Sequence, residues 1–284
     1  MIIDFRVRPP FKSFCNLNIY GARDPNPDPV TAPGVWLDVP PFGSFEDRSI
    51  ERFVEEMDEA GIDVAVAMGR NSPAPWGSVL NSDVAELVET YPGRFVGFGS
   101  VDGSSGDAVS QVDQCVELGF KGVAMDNGWC VPALYDDDES LFPVYERVAE
   151  HGLILALTSS IYVGPDMSYC MPVHIQRVAL AFPQVRIVVP HAFWPWATEG
   201  CGVAFQNSNV YLAPDFYGYI PNSPGAEEYV KAANYYLGYR LLFASSYPIR
   251  PLGLSVEQFA ALPFKDDELR QRCLGGNARR LLGI

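Results

Sequence analysis

Short apolar runs rich in β-branched residues alternate with amphipathic stretches along this chain of 284 residues. The alternation is typical of repeated βα units, whose strands pair in parallel. Eight units in a chain of this length favour a closed (β/α)8 TIM barrel, an α/β fold formed as a single domain by residues 1–284. The predicted strands are Met1–Val7, Asp63–Gly69, Phe95–Val101, Gly122–Asp126, Leu153–Ser159, Val185–His191, Val210–Pro214 and Arg240–Ser246.

The amphipathic stretches between these strands predict the helices. In Ser49–Ala60, for example, Ile50, Phe53, Val54 and Met57 recur at the spacing of one buried helix face. The other predicted helices are Ser82–Thr90, Asp107–Leu118, Leu141–Glu150, Pro172–Phe182, Gly225–Leu237, Ser255–Leu262 and Asp266–Leu282.

One long segment, Phe11–Phe45, interrupts this rhythm after the first strand and is rich in proline, glycine and aromatic residues. Connections of this length are uncommon unless they cover a site or are disordered. The aromatic residues Trp36, Phe42 and Phe45 favour an ordered loop, between the first predicted strand and the first predicted helix, that covers the barrel mouth.

The composition narrows the possible partners and the compartment. A formal net charge of −15 argues against binding to nucleic acid or to an anionic membrane. No run reaches the roughly 18 apolar residues of a membrane span, and Met1 leads into a strand without a signal-peptide pattern. We therefore expect a cytoplasmic protein whose partner is a small molecule.

Three charged residues stand in the otherwise apolar first strand: Asp4, Arg6 and Arg8. Residues at positions i, i+2 and i+4 share one face of a strand, so these side chains are expected to point the same way. A buried charge has to be paired or to bind something. The arginines can form a bidentate clamp for a substrate carboxylate, or they can form an internal salt bridge with Asp4.

Five segments together carry a family resemblance that spans nearly the whole chain. They are Ile2–Asp4, Gly119–Gly122, Phe182–His191, Arg240–Pro248 and Gly276–Leu282. In order and spacing they resemble the amidohydrolase-related proteins, which include small aromatic-acid decarboxylases and the 2-amino-3-carboxymuconate semialdehyde decarboxylase group. The chain is also similar to a subgroup that begins Asp-Phe-Arg-x-Arg-Pro-Pro. The resemblance implies an active site at the C-terminal ends of the barrel strands, and it suggests a homo-oligomer.

The resemblance also implies where metal ligands would stand, and most of them are replaced. The two first-strand histidines fall on Arg6 and Arg8, the strand-five histidine on Thr158 and the strand-eight aspartate on Ser246, whereas His191 is retained. A guanidinium has no lone pair to give a cation and stays protonated, and it repels a divalent ion. We therefore expect no metal cofactor, and a cationic pocket that holds a small anion.

Polar residues at the other strand ends complete the predicted site. His191 ends an apolar strand and has an ordinary pKa near neutrality, so it is the candidate general acid or base; a satisfied core histidine is the alternative. Asp126 and Asp215 could orient His191, accept a proton or pair with the arginines. The other predicted substrate-binding residues are Arg70, Asn71, Thr158, Ser246, Tyr247 and Trp194.

Three functions remain open from the residues. The first is an enzyme that acts on a small carboxylated, aromatic-derived or cyclic compound as a lyase or decarboxylase, hydratase or hydrolase, without the usual metal centre. The second is a metal-dependent hydrolase in which His191, Asp126 and Asp215 hold a divalent ion such as zinc. The third is a non-catalytic protein that binds a carboxylate.

Overall fold

Seven parallel strands form one sheet, in which each strand is hydrogen-bonded to the next along the chain. The structure is a computed structural model that describes residues 1–21, 30, 39 and 41–284. The strands are β1 Ile2–Val7, β2 Ile62–Met68, β3 Phe95–Ser100, β4 Gly122–Met125, β5 Ile154–Leu157, β6 Arg186–Pro190 and β7 Val210–Ala213. The predicted parallel α/β architecture is confirmed for these seven.

The strands are mostly apolar because both faces of the sheet are buried. One face contributes Ile3, Phe5, Phe98 and Val188 to an inner core. The alternate strand residues pack outward against the helices in a second, larger core, to which Phe53 of the first long helix belongs. The polar strand ends therefore lie above an apolar interior.

Helices cover the outer face of the sheet, and most lie where the periodicity predicted them. Two were not predicted: the four-residue helix Gly43–Glu46, which begins inside the predicted loop, and a helix between β6 and β7, whose sequence ATEGCGVAFQ has two glycines and little amphipathic pattern. The α-helices are α1 Gly43–Glu46, α2 Ile50–Glu59, α3 Asn81–Thr90, α4 Ala108–Glu117, α5 Phe142–Glu150, α6 Pro172–Ala181, α7 Ala197–Gln206, α8 Ala226–Ala232, α9 Leu252–Ala260, α10 Asp267–Gln271 and α11 Asn277–Leu282. Single π-helical segments, Ala233–Leu237 and Arg272–Gly276, extend α8 and join α10 to α11.

The predicted eighth strand, Arg240–Ser246, is wrong as a regular strand. Ser246 has a left-handed backbone with φ 61°, and the Ser245 N–H donates to the side-chain carboxylate of Asp4 rather than to a backbone carbonyl of a neighbouring strand. The segment nevertheless lies between the two edges of the sheet. Its backbone hydrogen bonds join Arg240 and Leu242 to Leu212 on one side, and Phe243 to Phe5 and Ser246 to Arg6 on the other.

The first strand is also irregular, and this corrects the prediction that Asp4, Arg6 and Arg8 share one face. The pairing with β2 shifts register between Asp4 and Val7. Ile3 and Phe5 both lie in the inner core, whereas Val7 lies in the outer one. The irregularity therefore places Asp4 on the other side from Arg6 and Arg8.

No helix in the described part of the chain is long and apolar enough to cross a membrane. All six cysteines are free thiols. Of the predicted loop Phe11–Phe45, residues 22–29, 31–38 and 40, and with them Trp36, lie outside the described residues.

Candidate active site

A cavity of about 270 Å³ lies at the C-terminal ends of the strands, where barrel enzymes carry their active sites. Arg6 reaches it from β1, Arg70 follows β2 and His191 follows β6. The lining residues are Arg6, Arg8, Asn18, Ile19, Arg70, Trp76, Trp129, Ser160, Tyr162, His191, Phe216, Tyr217, Ser246 and Ile249. Cationic and aromatic groups therefore dominate the walls.

Arg6 is bound tightly within the protein. Its Nη1 donates to Asp215 Oδ2 at 2.8 Å and to the Ser246 hydroxyl. The predicted alternative, a salt bridge to Asp4, is wrong, because the described hydrogen bonds of Asp4 Oδ1 come from the backbone N–H groups of Arg6 and Ser245. Arg6 and Asp215 thus form a matched ion pair.

Arg8 and Arg70 share one carboxylate, and they hold it loosely. Asp126 Oδ2 lies 3.9 Å from Arg8 Nη2 and 3.5 Å from Arg70 Nε, whereas strong hydrogen bonds between charged groups measure about 2.7–2.9 Å. Arg70 also donates to Asn18 Oδ1 at 3.2 Å and lies 4.4 Å above the Trp129 ring. Both guanidinium groups retain capacity to bind an anion.

The crowding of positive charge is reflected in the pKa values of these groups. Burial, and then repulsion by Arg70 and Arg6, lowers the pKa of Arg8 well below its ordinary value. Burial lowers the pKa of Arg70 to about 10, although Asp126 opposes this. Burial by itself raises the pKa of Asp126, but attraction to Arg70 and Arg8 outweighs it, so the pKa is lowered and this carboxyl is ionised at neutral pH.

His191 and Asp215 form the candidate proton-transfer pair. His191 Nδ1 lies 3.1 Å from Asp215 Oδ2, without a hydrogen bond to any described residue. Burial, and then repulsion by Arg6, Arg8 and Arg70, lowers the pKa of His191 well below 6.5. Burial raises the pKa of Asp215 to about 6, against the opposing attraction of Arg6. In the free site the imidazole is neutral at pH 7.

Three of these residues have backbone conformations that side chains other than glycine seldom adopt. The φ angles are 65° at His191, 55° at Asp215 and 61° at Ser246. Non-glycine residues with positive φ are uncommon, and such strain concentrates at functional sites. Asp215 and Ser246 both contact the Arg6 guanidinium, and His191 lies beside Asp215, which makes this cluster a candidate functional site.

The structure places four predicted substrate-binding residues outside the cavity lining. Asn71 accepts from the Ser78 hydroxyl, and the Tyr247 hydroxyl lies 2.8 Å from Ser44 Oγ. Thr158 is buried beside Asp126 and contributes to lowering that residue's pKa. Trp194 stacks on Tyr217, which does line the cavity, with ring centroids 4.4 Å apart.

Sequence reasoning missed the aromatic wall. Trp76 and Trp129 stack at 4.3 Å with an interplanar angle of 15°, and the Trp129 Nε1–H donates to the Tyr162 carbonyl at 2.6 Å. Trp129 follows Asp126 by three positions, so its place in the loop after β4 was the available signal. Nothing in the sequence pairs it with Trp76, which stands in a different loop.

A divalent metal does not fit the residues assembled here. Arg6, Arg8 and Arg70 occupy the positions around the candidate ligands, and they bind Asp215 and Asp126 themselves. In residues 1–21, 30, 39 and 41–284, no group of three or more His, Cys, Asp or Glu side chains is arranged to hold a metal ion. The predicted alternative ligand set of His191, Asp126 and Asp215 is therefore not assembled in this arrangement.

Comparison with known proteins identifies relatives with the same fold. An uncharacterised TIM-barrel protein from Bordetella bronchiseptica is 37% identical, with a TM-score of 0.89 over 99% of this chain and 98% of that one. A dihydroxybenzoic acid decarboxylase from Polaromonas, solved with manganese and 2-nitroresorcinol, is 19% identical, with a TM-score of 0.63 over 86% of this chain and 90% of that one. At that identity the second similarity shows the fold alone.

Two sequence matches identify the family. A curated 2-amino-3-carboxymuconate-6-semialdehyde decarboxylase from Dictyostelium discoideum is 32% identical over 89 residues, which span 31% of this chain and 24% of that protein. The family model described as amidohydrolase matches residues 40–284, which is most of the chain. The resemblance predicted from the five sequence segments is confirmed, and the chain belongs to the amidohydrolase family.

Proposed function

We propose that this protein is a carbon–carbon lyase of the decarboxylase type that acts on a small aromatic carboxylate. The observation that carries the proposal is the cavity itself, where three buried arginines and one neutral histidine lie beside an aromatic wall. The short sequence match to a curated decarboxylase supports the same chemistry. The arrangement provides a receptor for a carboxylate and a group that can move a proton.

Arg8 and Arg70 bind the substrate carboxylate in this proposal. Their guanidinium groups line the cavity and are only loosely engaged by Asp126. Trp76 and Trp129 line the same cavity as these guanidinium groups, so a planar ring attached to that carboxylate can pack against this aromatic wall. Arg6, held by Asp215 and Ser246, stays in place as a fixed positive charge.

In the next step, substrate binding raises the affinity of the His191–Asp215 pair for a proton. In the free site burial, and then repulsion by the three arginines, lowers the pKa of His191. A bound carboxylate offsets part of that positive charge and raises the pKa of the His191–Asp215 pair, so that the pair takes up a proton. His191 then gives this proton to the ring carbon that carries the carboxylate. The carbon–carbon bond breaks, its electron pair returns to the ring, and CO₂ leaves.

The proposed reaction uses no metal ion, because guanidinium groups surround the only histidine and aspartates in the described cavity region. Elemental analysis of protein purified without chelators is expected to find less than about 0.1 divalent ion per chain. Stoichiometric zinc or manganese, removed by a chelator with loss of ligand binding, would contradict the metal-free mechanism and favour the metal-dependent hydrolase.

A second candidate is a hydratase or hydrolase. The observation that favours it is the lowered pKa of His191, because a neutral imidazole can act as a base toward water. Incubation of the protein with hydroxylated benzoates, followed by ¹³C NMR, distinguishes the two. Labelled bicarbonate from the carboxyl carbon supports the lyase; a product that keeps this carbon contradicts it. Binding without any turnover would indicate a carboxylate-binding protein.

We also propose that the described start of the predicted loop covers part of the mouth, since Asn18 and Ile19 line the cavity. Several further expectations stay proposals of the same kind. They are a single domain over residues 1–284, a homo-oligomeric assembly, a cytoplasmic location, and a small anion rather than nucleic acid or membrane as the partner.

A further inference from the structure

The ion pairs at the cavity leave one positive charge unmatched. Arg6 is neutralised by Asp215 at 2.8 Å. Arg8 and Arg70 have only Asp126 between them, at 3.9 and 3.5 Å. Two carboxylates therefore face three guanidinium groups.

Other titratable groups do not change this balance. Asp4 accepts hydrogen bonds from the backbone of Arg6 and Ser245 and does not line the cavity. His191 is neutral at pH 7 in the free site, because its pKa is lowered. The described lining includes no Asp or Glu side chain.

The surplus charge is also buried. Arg8 and Arg70 are 3% and 2% exposed, and the Nε atom of each has no hydrogen-bond partner among the described residues. An uncompensated buried cation is costly, and one bound anion removes this cost. A second negative charge would find no further unpaired arginine, since Arg6 is already paired with Asp215, and Trp76, Phe216 and Ile249 in the lining carry no charge to offset it.

We propose that the cavity selects substrates that carry a single negative charge and rejects dicarboxylates of the same size. The inference rests on the proposed function, because it assumes that Arg8 and Arg70 receive a carboxylate. It names the substrate class more narrowly: a planar monocarboxylate whose other substituents are uncharged.

Three ring compounds of closely similar shape test the proposal: isophthalate, its monomethyl ester and its dimethyl ester, with charges of −2, −1 and 0. Isothermal titration calorimetry at pH 7.5 is expected to give the monoester at least about tenfold tighter binding than either of the others. Equal or tighter binding of isophthalate would overturn the charge selection alone. Equal binding of monoester and neutral diester would overturn the proposed carboxylate receptor as well.

Two variants change the charge balance in opposite directions. Asp126→Asn leaves two surplus charges, so isophthalate is expected to bind at least as tightly as the monoester. Arg70→Met leaves none, so the monoester is expected to bind no tighter than the diester.

Asp137→Asn, which removes a carboxylate paired with His174 and Arg177 outside the cavity, is the matched control and should keep the wild-type order of affinities. If Asp126→Asn does not fold, the Arg70→Met result decides, and an unchanged order there contradicts the proposal.

Discussion

At the scale of single residues, the pKa values of His191 and Asp215 both depend on the positive charge of Arg6. Asp215 binds Arg6 and lies 3.1 Å from His191 Nδ1. The pKa of Asp215 is raised to about 6, while that of His191 is lowered. A proton added to the pair therefore belongs to both groups rather than to either one.

Replacing His191 with alanine is expected to lower kcat by about 10²- to 10⁴-fold, the usual range for a lost general acid or base. The affinity for a carboxylate should change little, because Arg8 and Arg70 remain. Steady-state kinetics together with calorimetry check both effects. The control is His174→Ala, since His174 pairs with Asp137 at 2.6 Å away from the cavity. Unchanged turnover in His191→Ala would contradict the assigned role.

Asp4 is a residue-scale feature that affects stability rather than catalysis. Its Oδ1 accepts two backbone N–H groups, while its Oδ2 has no partner among the described residues. Burial raises the pKa of this carboxyl to about 7, so the native protein prefers it protonated.

Wild-type protein is therefore expected to gain about 1 kcal/mol of unfolding free energy from Asp4 as the pH falls from 8.5 to 6, because only the native state takes up this proton in that range. Asp4→Asn keeps the Oδ1 acceptor without a charge and should lose this part of the pH dependence. Asp136, whose pKa is also raised, titrates in both proteins and cancels in the comparison. Asp215 also titrates in both, and its repulsion of Asp4 is the last in order among the causes of the raised Asp4 pKa. Urea unfolding at several pH values measures the difference; parallel pH profiles would contradict it.

At the scale of elements, Arg240 joins the end of α7 to the start of β7. Its Nη1 donates to the carbonyls of Ala204, Asn207 and Val210. The carbonyls at a helix end lack partners within the helix. One guanidinium thus stabilises the connection on which β7 and then Asp215 depend.

Arg240→Met is expected to lower the unfolding free energy by about 1–3 kcal/mol, because buried carbonyls lose a charged donor. The midpoint of urea unfolding by circular dichroism measures this. Arg177→Met is the control, since Arg177 is mostly exposed and its ion pair with Asp137 is worth at most about 1 kcal/mol. A loss in Arg240→Met no larger than in the control would show that this connection is supported by other contacts.

At the scale of the whole molecule, the net charge and the local charge have opposite signs. The chain carries a formal −15, while the cavity is lined by three arginines. An approaching anion is repelled at long range and attracted only near the mouth. Salt screens long-range interactions between exposed charges far more than interactions at a buried site.

Raising the ionic strength from about 0.01 to 0.15 M shortens the screening length from about 30 to 8 Å. The association rate constant of benzoate is then expected to rise roughly two- to tenfold, because the repulsion is screened first. Stopped-flow quenching of tryptophan fluorescence can follow binding, since Trp76 and Trp129 line the cavity. Neutral benzamide is the control and should be insensitive to salt. A benzoate rate that falls with salt would mean that local attraction dominates the approach.

Much of the fold was predictable because hydrophobic periodicity is a local property of the sequence. It located seven strands and the helix over Ser49–Ala60, observed as Ile50–Glu59. It missed α7, whose pattern is weak, and it could not detect the register shift in β1, which arises from pairing with a distant strand. The same limit explains the incorrect common face of Asp4, Arg6 and Arg8.

Residue identity and spacing were enough to locate most strands, to indicate the family, and to place arginines at positions where the resemblance implies metal ligands. Which charges meet follows from the folded arrangement instead. Arg6 and Asp215 are 209 positions apart in the sequence. Arg8, Arg70 and Asp126, which form the shared ion pair, follow three different strands, β1, β2 and β4. Coulomb energies depend on distance and burial in space, so the surplus charge of the cavity and the pairing of His191 with Asp215 exist only after the sheet has brought these ends together.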